Sequence, residues 1–197
     1  KPFKDEIYKI CGKVKIKKEN NSYIAQKLIE GKIIGRFSER AEFGQRALGN
    51  RSILASPSEP YIIEKINHTI KSRDFWMPFA LSILDKYEEI YLKKNKFEKS
   101  PFMTTCYQLN KKYSKALNNG IHPADKTVRP QIVTKKMNPE YYDLINEFRK
   151  KSKIGALLNT SFNLHGHTIV ETNVDALKVF KKSNMDCLIL NGLFIEK

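Results

Sequence analysis

Apolar positions in this chain fall in short runs whose periodicity switches between about 3.6 and 2, the alternation expected of helices and strands packed in one domain. Residues 23–30 (YIAQKLIE) carry helical spacing and run into Gly31, a helix stop. The apolar stretch 32–37 reads as a strand. Ser58 stands where it could cap a helix over 60–71, with Ile62, Ile63, Ile66 and Ile70 on its apolar face. Pro78 interrupts that pattern, and 79–84 (FALSIL) and 102–107 read as strands. The polar span 110–131 contains Gly and Pro and reads as a long loop, a type of segment that is often functional. Residues 140–150 form an amphipathic helix. The run 154–158 is a strand that delivers Asn159, Thr160 and Ser161 at its C-terminal end. Thr172 can cap a helix over 173–182. Residues 188–190 and 193–195 pair as a hairpin over Asn191-Gly192, a strong turn signal. Residues 1–20 read as a lead-in or interdomain connection, which leaves 21–197 as the domain. Strands alternating with helices predict an α+β (mixed α/β) fold, a mixed sheet with flanking helices.

Composition narrows the class. A chain of 197 residues with 41% hydrophobic content is long enough to bury a core. No apolar run reaches the eighteen or so residues that a membrane helix needs. The start is charged, carries no signal-peptide h-region and lacks Met, as an excised piece of a longer protein would. Three scattered cysteines suit a reducing compartment, and a cytoplasmic location is expected; Cys106 and Cys187 sit in apolar runs and are expected in the core. The net charge of +15 invites a nucleic-acid reading. The lysines are nevertheless dispersed over the chain, and the other signatures of a nucleic-acid module are missing.

The most informative segment is 31–55, GKIIGRFSERAEFGQRALGNRSILA. It places Arg36, Arg40, Arg46 and Arg51 among Gly35, Gly44 and Gly49, between two apolar runs. Arginine forks match phosphate or carboxylate oxygens two at a time, and glycine lets backbone approach a ligand closely. Two readings follow. One is an oxyanion site between two strands; the other is a basic surface loop tied down by Glu39 and Glu42.

The same segment resembles a signature of the C-terminal domain of the carbamoyltransferase family, which includes nodulation-factor and antibiotic O-carbamoyltransferases. The resemblance continues through INHTIKSRDFWMPFALSIL (66–84), SPFMT (100–104), DKTVRPQ (125–131), LLNTSFNLHG (157–166) and IVETNVDALKVF (169–180). It implies a YrdC-like fold, a twisted sheet around an open cleft. It also implies a reaction with carbamoyl phosphate and ATP as substrates. Carbamoyl adenylate forms and its carbamoyl group passes to an acceptor hydroxyl, with an N-terminal ATPase-like domain as partner. Any metal ion is expected in that partner domain. By resemblance, Arg46, Arg51 and Lys71 hold the phosphate of carbamoyl phosphate. Asn159 and Ser161 suit the carbamoyl group, Arg129 is a third arginine for phosphate or adenylate, and Arg73 follows Lys71 in the same motif. Asn159 and Ser161 also read as a turn that caps the strand, and Arg73 and Asp74 as a local ion pair. No role is carried onto His122.

Several positions depart from the family pattern. Met77 stands where many members have a phosphate-contacting Arg, Gln45 where Pro is usual, Arg36 where Trp is usual and His167 where Glu is common. Arg36 is a candidate to restore the charge lost at Met77. Two alternatives to the enzyme-domain reading are a basic nucleic-acid-binding module and a degenerate scaffold domain.

Overall fold

A computed structural model describes residues 2–71, 78–93 and 100–197. Helix α1 (Pro2–Cys11) and strand β1 (Lys15–Lys17) come first, followed by α2 (Asn21–Ile29), β2 (Ile34–Phe37) and β3 (Arg51–Ala55). Then come α3 (Ile62–Ile66), β4 (Ala80–Leu84), α4 (Glu88–Tyr91), β5 (Tyr107–Gln108), β6 (Thr127–Val128) and β7 (Pro130–Val133). Helix α5 (Pro139–Ser152), β8 (Ala156–Ser161), α6 (Asn173–Lys182), β9 (Cys187–Leu190) and β10 (Leu193–Glu196) complete the described elements.

Eight of the strands make one mixed sheet in the order β1-β10-β9-β2-β3-β8-β4-β7. The β2–β9 and β4–β7 pairs are parallel and the others antiparallel. Alternation along each strand sends side chains to two separate cores. Ile53, Leu81, Leu158 and Leu188 pack on one face with Ile7 of α1, Ile66 of α3 and Phe180 of α6. Ile34, Leu54, Leu157 and Phe194 pack on the other with Leu28 of α2 and Tyr141 and Phe148 of α5. Covered on both faces, β2, β3 and β9 are buried at every position; β9 (CLIL) reads as a continuous apolar run, while β2 and β3 also bury Arg36, Arg51 and Ser52.

Local signals place several elements where expected. Asn20 caps α2, and Gly31, at φ +74, follows it. Thr172 and Asp175 form a reciprocal capping box on α6. Asn191 and Gly192 adopt φ +46 and +81, joining β9 to β10.

Other expectations are corrected. Residues 2–17 are not a bare lead-in: α1 packs against α6, and β1 pairs with β10 at the sheet edge, Ile16 opposite Ile195. Ser58 caps nothing, because α3 begins after Tyr61, in a left-handed conformation without a side-chain cap. One π-helical turn, Asn67–Lys71, extends α3. The strand expected at 102–107 shrinks to β5, since the chain turns at Met103, φ +56, a conformation uncommon for residues with a side chain. The expected loop 110–131 ends in β6 and β7, where Pro130 opens an edge strand, a position that needs no N–H on its outer side. Cys187 is buried as expected, but Cys106 is exposed.

Candidate functional site

The loop between β2 and β3 is held by a carboxylate. Glu42 Oε1 accepts hydrogen bonds from the backbone N–H groups of Leu48 (2.7 Å), Asn50 (2.6 Å) and Arg51 (3.3 Å). This folds ALGNR around one oxygen. Gly49 sits at the turn with φ +126, and a Cβ there would lie 2.5 Å from the Tyr141 ring, so the turn requires glycine. Of the two sequence readings, the tied loop is therefore real, but Glu42 ties backbone rather than arginines.

The turn sorts the four arginines. Arg36 points to the α5 side, 3% exposed, donating to Gly49 O (2.7 Å), Asn50 Oδ1 (2.9 Å) and Glu140 Oε2 (3.0 Å). Burial pushes its guanidinium below the usual arginine range, and the nearby Glu140 carboxylate opposes that shift. It supports the loop from beneath and does not replace a charge in the cleft. Arg51 lies 3.5 Å over the Phe37 ring and donates to the carbonyls of Ser38 (2.9 Å), Asn50 (3.0 Å) and Glu39 (3.0 Å). Its donors are largely spent on the loop's own backbone. Arg40 is exposed at the rim.

Arg46 is different. It lines a cleft of about 420 Å³ together with Gln45, His122, Arg129, Asn159, Thr160 and Ser161, floored by Phe79 and Met103. Arg46 and Arg129 are both exposed, and neither makes an ion pair among the described residues. Both guanidinium groups line one cavity, and planar forks of this kind match phosphate or carboxylate oxygens. Ser161 is half-buried and donates to Asn163 Oδ1 at 2.8 Å. Asn159 is 1% exposed; its Nδ2 donates to Ala47 O (3.1 Å) and Ser82 Oγ (3.0 Å), and its buried Oδ1 has no hydrogen-bond partner. An acceptor left over in this way costs free energy unless a donor reaches it.

The structure thus brings Arg46, Arg129, Asn159 and Ser161 together and leaves Arg51 outside the cleft. Lys71 ends the π-helical turn, which the His165 N–H to Ile70 O bond (3.0 Å) ties to the loop after β8. The Lys71 side chain, Arg73 and Met77 lie outside the described residues. His122, onto which no role was carried, and Gln45, which departs from the family's usual Pro, also line the cleft. His122 Nδ1 lies 3.3 Å from the N–H of Ala124, 3.4 Å from the N–H of Asp125 and 3.3 Å from Asp125 Oδ1. A second hollow, about 510 Å³, shares Arg46, Met103 and Arg129 with the cleft and is walled by Phe43, Leu48 and Phe102.

A mixed sheet with helices on both faces, and a cleft lined by two arginines where β8 and the β2–β3 loop meet, define a mixed α/β domain. The fold matches solved structures. A full-length HypF in a phosphate- and nucleotide-bound form superposes with TM-score 0.64 at 17% identity, over 87% of this chain and 24% of that one. Escherichia coli YciO superposes with TM-score 0.60 at 16% identity, over 87% of this chain and 77% of that one. The fold is therefore YrdC-like. Residues 25–197 match the family described as Carbamoyltransferase C-terminus, and the chain belongs to that family.

Among its relatives, an uncharacterized protein of Methanocaldococcus jannaschii is 39% identical over 173 residues, covering 88% of this chain and 28% of the relative. Nodulation protein NolO of Bradyrhizobium diazoefficiens is 36% identical over 177 residues, covering 89% and 32%. A 3'-hydroxymethylcephem-O-carbamoyltransferase of Streptomyces clavuligerus is 26% identical over 159 residues, covering 81% and 29%. The chain spans about a third or less of the length of these relatives.

Proposed function

We propose that this chain is the domain of an ATP-dependent O-carbamoyltransferase that binds carbamoyl phosphate and supports formation of carbamoyl adenylate. The observation that carries the reading is the convergence of Arg46 and Arg129, without acidic partners among the described residues, on the cleft that also presents Ser161 and Asn159. Phosphate-displacing chemistry depends on charge neutralisation and positioning more than on a side-chain nucleophile, and the cleft offers those groups. In balanced form, water releases inorganic phosphate from carbamoyl phosphate and leaves carbamate. A carbamate oxygen then attacks the α-phosphorus of ATP, and pyrophosphate departs. The acceptor hydroxyl takes the carbamoyl group and AMP is released. In this reading Arg46, Arg129 and Lys71 neutralise phosphate, and Ser161 and Asn159 receive the carbamoyl group, with Arg73 beside them. Arg51 shapes the loop that presents Arg46. In this reading transfer to the hydroxyl is assigned to an N-terminal ATPase-like domain, for which relatives about three times the length of the matched region leave room.

The test is calorimetric titration of carbamoyl phosphate and of inorganic phosphate. A charge-assisted contact is worth about 1.5–3 kcal/mol, so Arg46→Ala should weaken binding by about tenfold or more without unfolding the chain. An unchanged affinity would remove Arg46 from the site.

A further inference from the structure

Gln131 closes the DKTVRPQ block and has no part in the chemistry above, yet it is 4% exposed and fully engaged. Its Nε2 donates to Leu48 O at 2.7 Å. Its Oε1 accepts from Ser82 Oγ at 2.7 Å and lies 3.3 Å from Asn159 Nδ2. Asn159 in turn donates to Ala47 O at 3.1 Å. Gln131, Ser82 and Asn159 come from the neighbouring strands β7, β4 and β8, with Ser82 and Gln131 directly opposite one another. Two of these strands, β7 and β8, therefore grip two successive carbonyls, those of the two residues immediately after Arg46, and Ser82 of β4 ties the two amides together. Gln131 also lies two residues downstream of Arg129. One amide thus joins the two segments, 83 residues apart in sequence, that supply the unpaired arginines of the cleft.

We propose that Gln131 is a positioning residue that holds Arg46 in register with Arg129, so that both guanidinium groups meet a single anion. Arginine contacts to phosphate depend on angle as well as distance, and a displacement of about 1 Å in a positioning element can cost large factors in function. Arg46 sits on irregular backbone whose ordering would otherwise be charged against binding. The buried network removes that cost before the ligand arrives. The inference rests on the carbamoyl phosphate reading only for the identity of the anion.

The experiment compares the chain with its Gln131→Met variant, which keeps volume and removes the amide. Carbamoyl phosphate and inorganic phosphate are titrated, and amide hydrogen exchange is followed over 43–49. Affinity should fall by about tenfold and exchange over 43–49 should rise. On an Arg46→Ala background the same change should cost less than about twofold more, the non-additivity expected of a residue that acts through another. Tyr91→Phe is the control: it removes a buried hydroxyl that accepts from Gly155 N at 2.9 Å, so it should lower the melting temperature and leave affinity alone. Additive losses in the cycle, or unaltered exchange over 43–49, would reduce Gln131 to a stability contact. If Gln131→Met does not fold, Ser82→Ala withdraws the hydroxyl that donates to Gln131 and accepts from Asn159, and the exchange over 43–49 and the cycle with Arg46→Ala are read by the same criteria. If the unsubstituted chain binds neither anion, the carbamoyl phosphate reading fails. Exchange over 43–49 then decides alone whether Gln131 fixes the Arg46 segment.

Discussion

Arg46 and Arg51 flank the same four residues, yet they do different work. The sequence marks both, because Ala-Leu-Gly-Asn between two arginines looks like a loop around an anion. It does not reveal that Gly49 reverses the chain at φ +126 and that Arg51 then opens β3, on the strand face that carries Phe37. That outcome depends on Tyr141, ninety residues downstream, leaving no room for a side chain at position 49. Arg51→Ala should therefore be chiefly a stability defect. Three main-chain carbonyls would lose their donor, at a cost of roughly 2–4 kcal/mol, visible as a lowered melting temperature. Arg51→Lys should recover only part of it, since an ammonium lacks the planar fork that spans Ser38, Asn50 and Glu39. A melting temperature unchanged by Arg51→Ala, with lost anion affinity, would return Arg51 to the cleft.

Elements with strong local signals were legible: α2, α5, α6 and the β9–β10 hairpin each announce a cap, a stripe or a turn. Elements fixed by distant partners were not. Strand β7 starts with Pro130 and is four residues long, so only its pairing with β4 makes it a strand. Residues 102–106 are rich in strand-favouring types, yet they turn. The candidate site shows the same division. Arg46, Arg129, Asn159 and Ser161 were readable from motifs, whereas the floor of Phe79 and Met103 and the place of His122 come from folding. Asp186, just before β9, is a case of long-range anchoring. It accepts from Ile33 N–H (2.8 Å), Lys65 Nζ (3.0 Å) and Lys32 Nζ (3.2 Å). Burial alone would raise its pKa, but those donors outweigh burial and hold it below the usual carboxylate range. A depressed folded-state pKa gives stability that is present above the unfolded value of about 3.9 and lost as pH falls through the folded value. Because both lysines are partly exposed, the effect should be about 1 kcal/mol. Asp186→Asn should lower stability at neutral pH by that amount and converge with the parent only as pH falls below the folded-state value in denaturant titrations. Parallel curves at every pH would contradict the assignment.

At the scale of the whole molecule, the charge of +15 is dispersed along the chain in short basic runs, at 13–18, 111–112, 149–153 and 178–182 among others, rather than gathered in one stripe. A diffuse positive field raises the encounter rate of anionic substrates and falls with ionic strength. No described helix is long and apolar enough to cross a membrane. The division of labour makes a direct prediction. Carbamoyl phosphate binding should survive in the 197-residue chain, but transfer to a hydroxyl acceptor should appear only when the N-terminal partner domain is supplied. Sustained transfer by the chain alone, followed by carbamoylated product in a mass spectrum, would overturn that division.

The weave of the sheet also bears on how the molecule is made. Strand β2 is bonded on one side to β9, with Ile34 opposite Cys187, and β1 is zipped to β10. The centre of the sheet therefore stays open until the last strands have left the ribosome. Such long-range pairings make for slow maturation, since loop-closure entropy precedes the contacts that offset it. During synthesis β2 waits as an unpaired apolar edge, the kind of surface that chaperones shield and that associates with other nascent chains. Changes in β9, which is buried at every position, should lower expression yield as well as melting temperature.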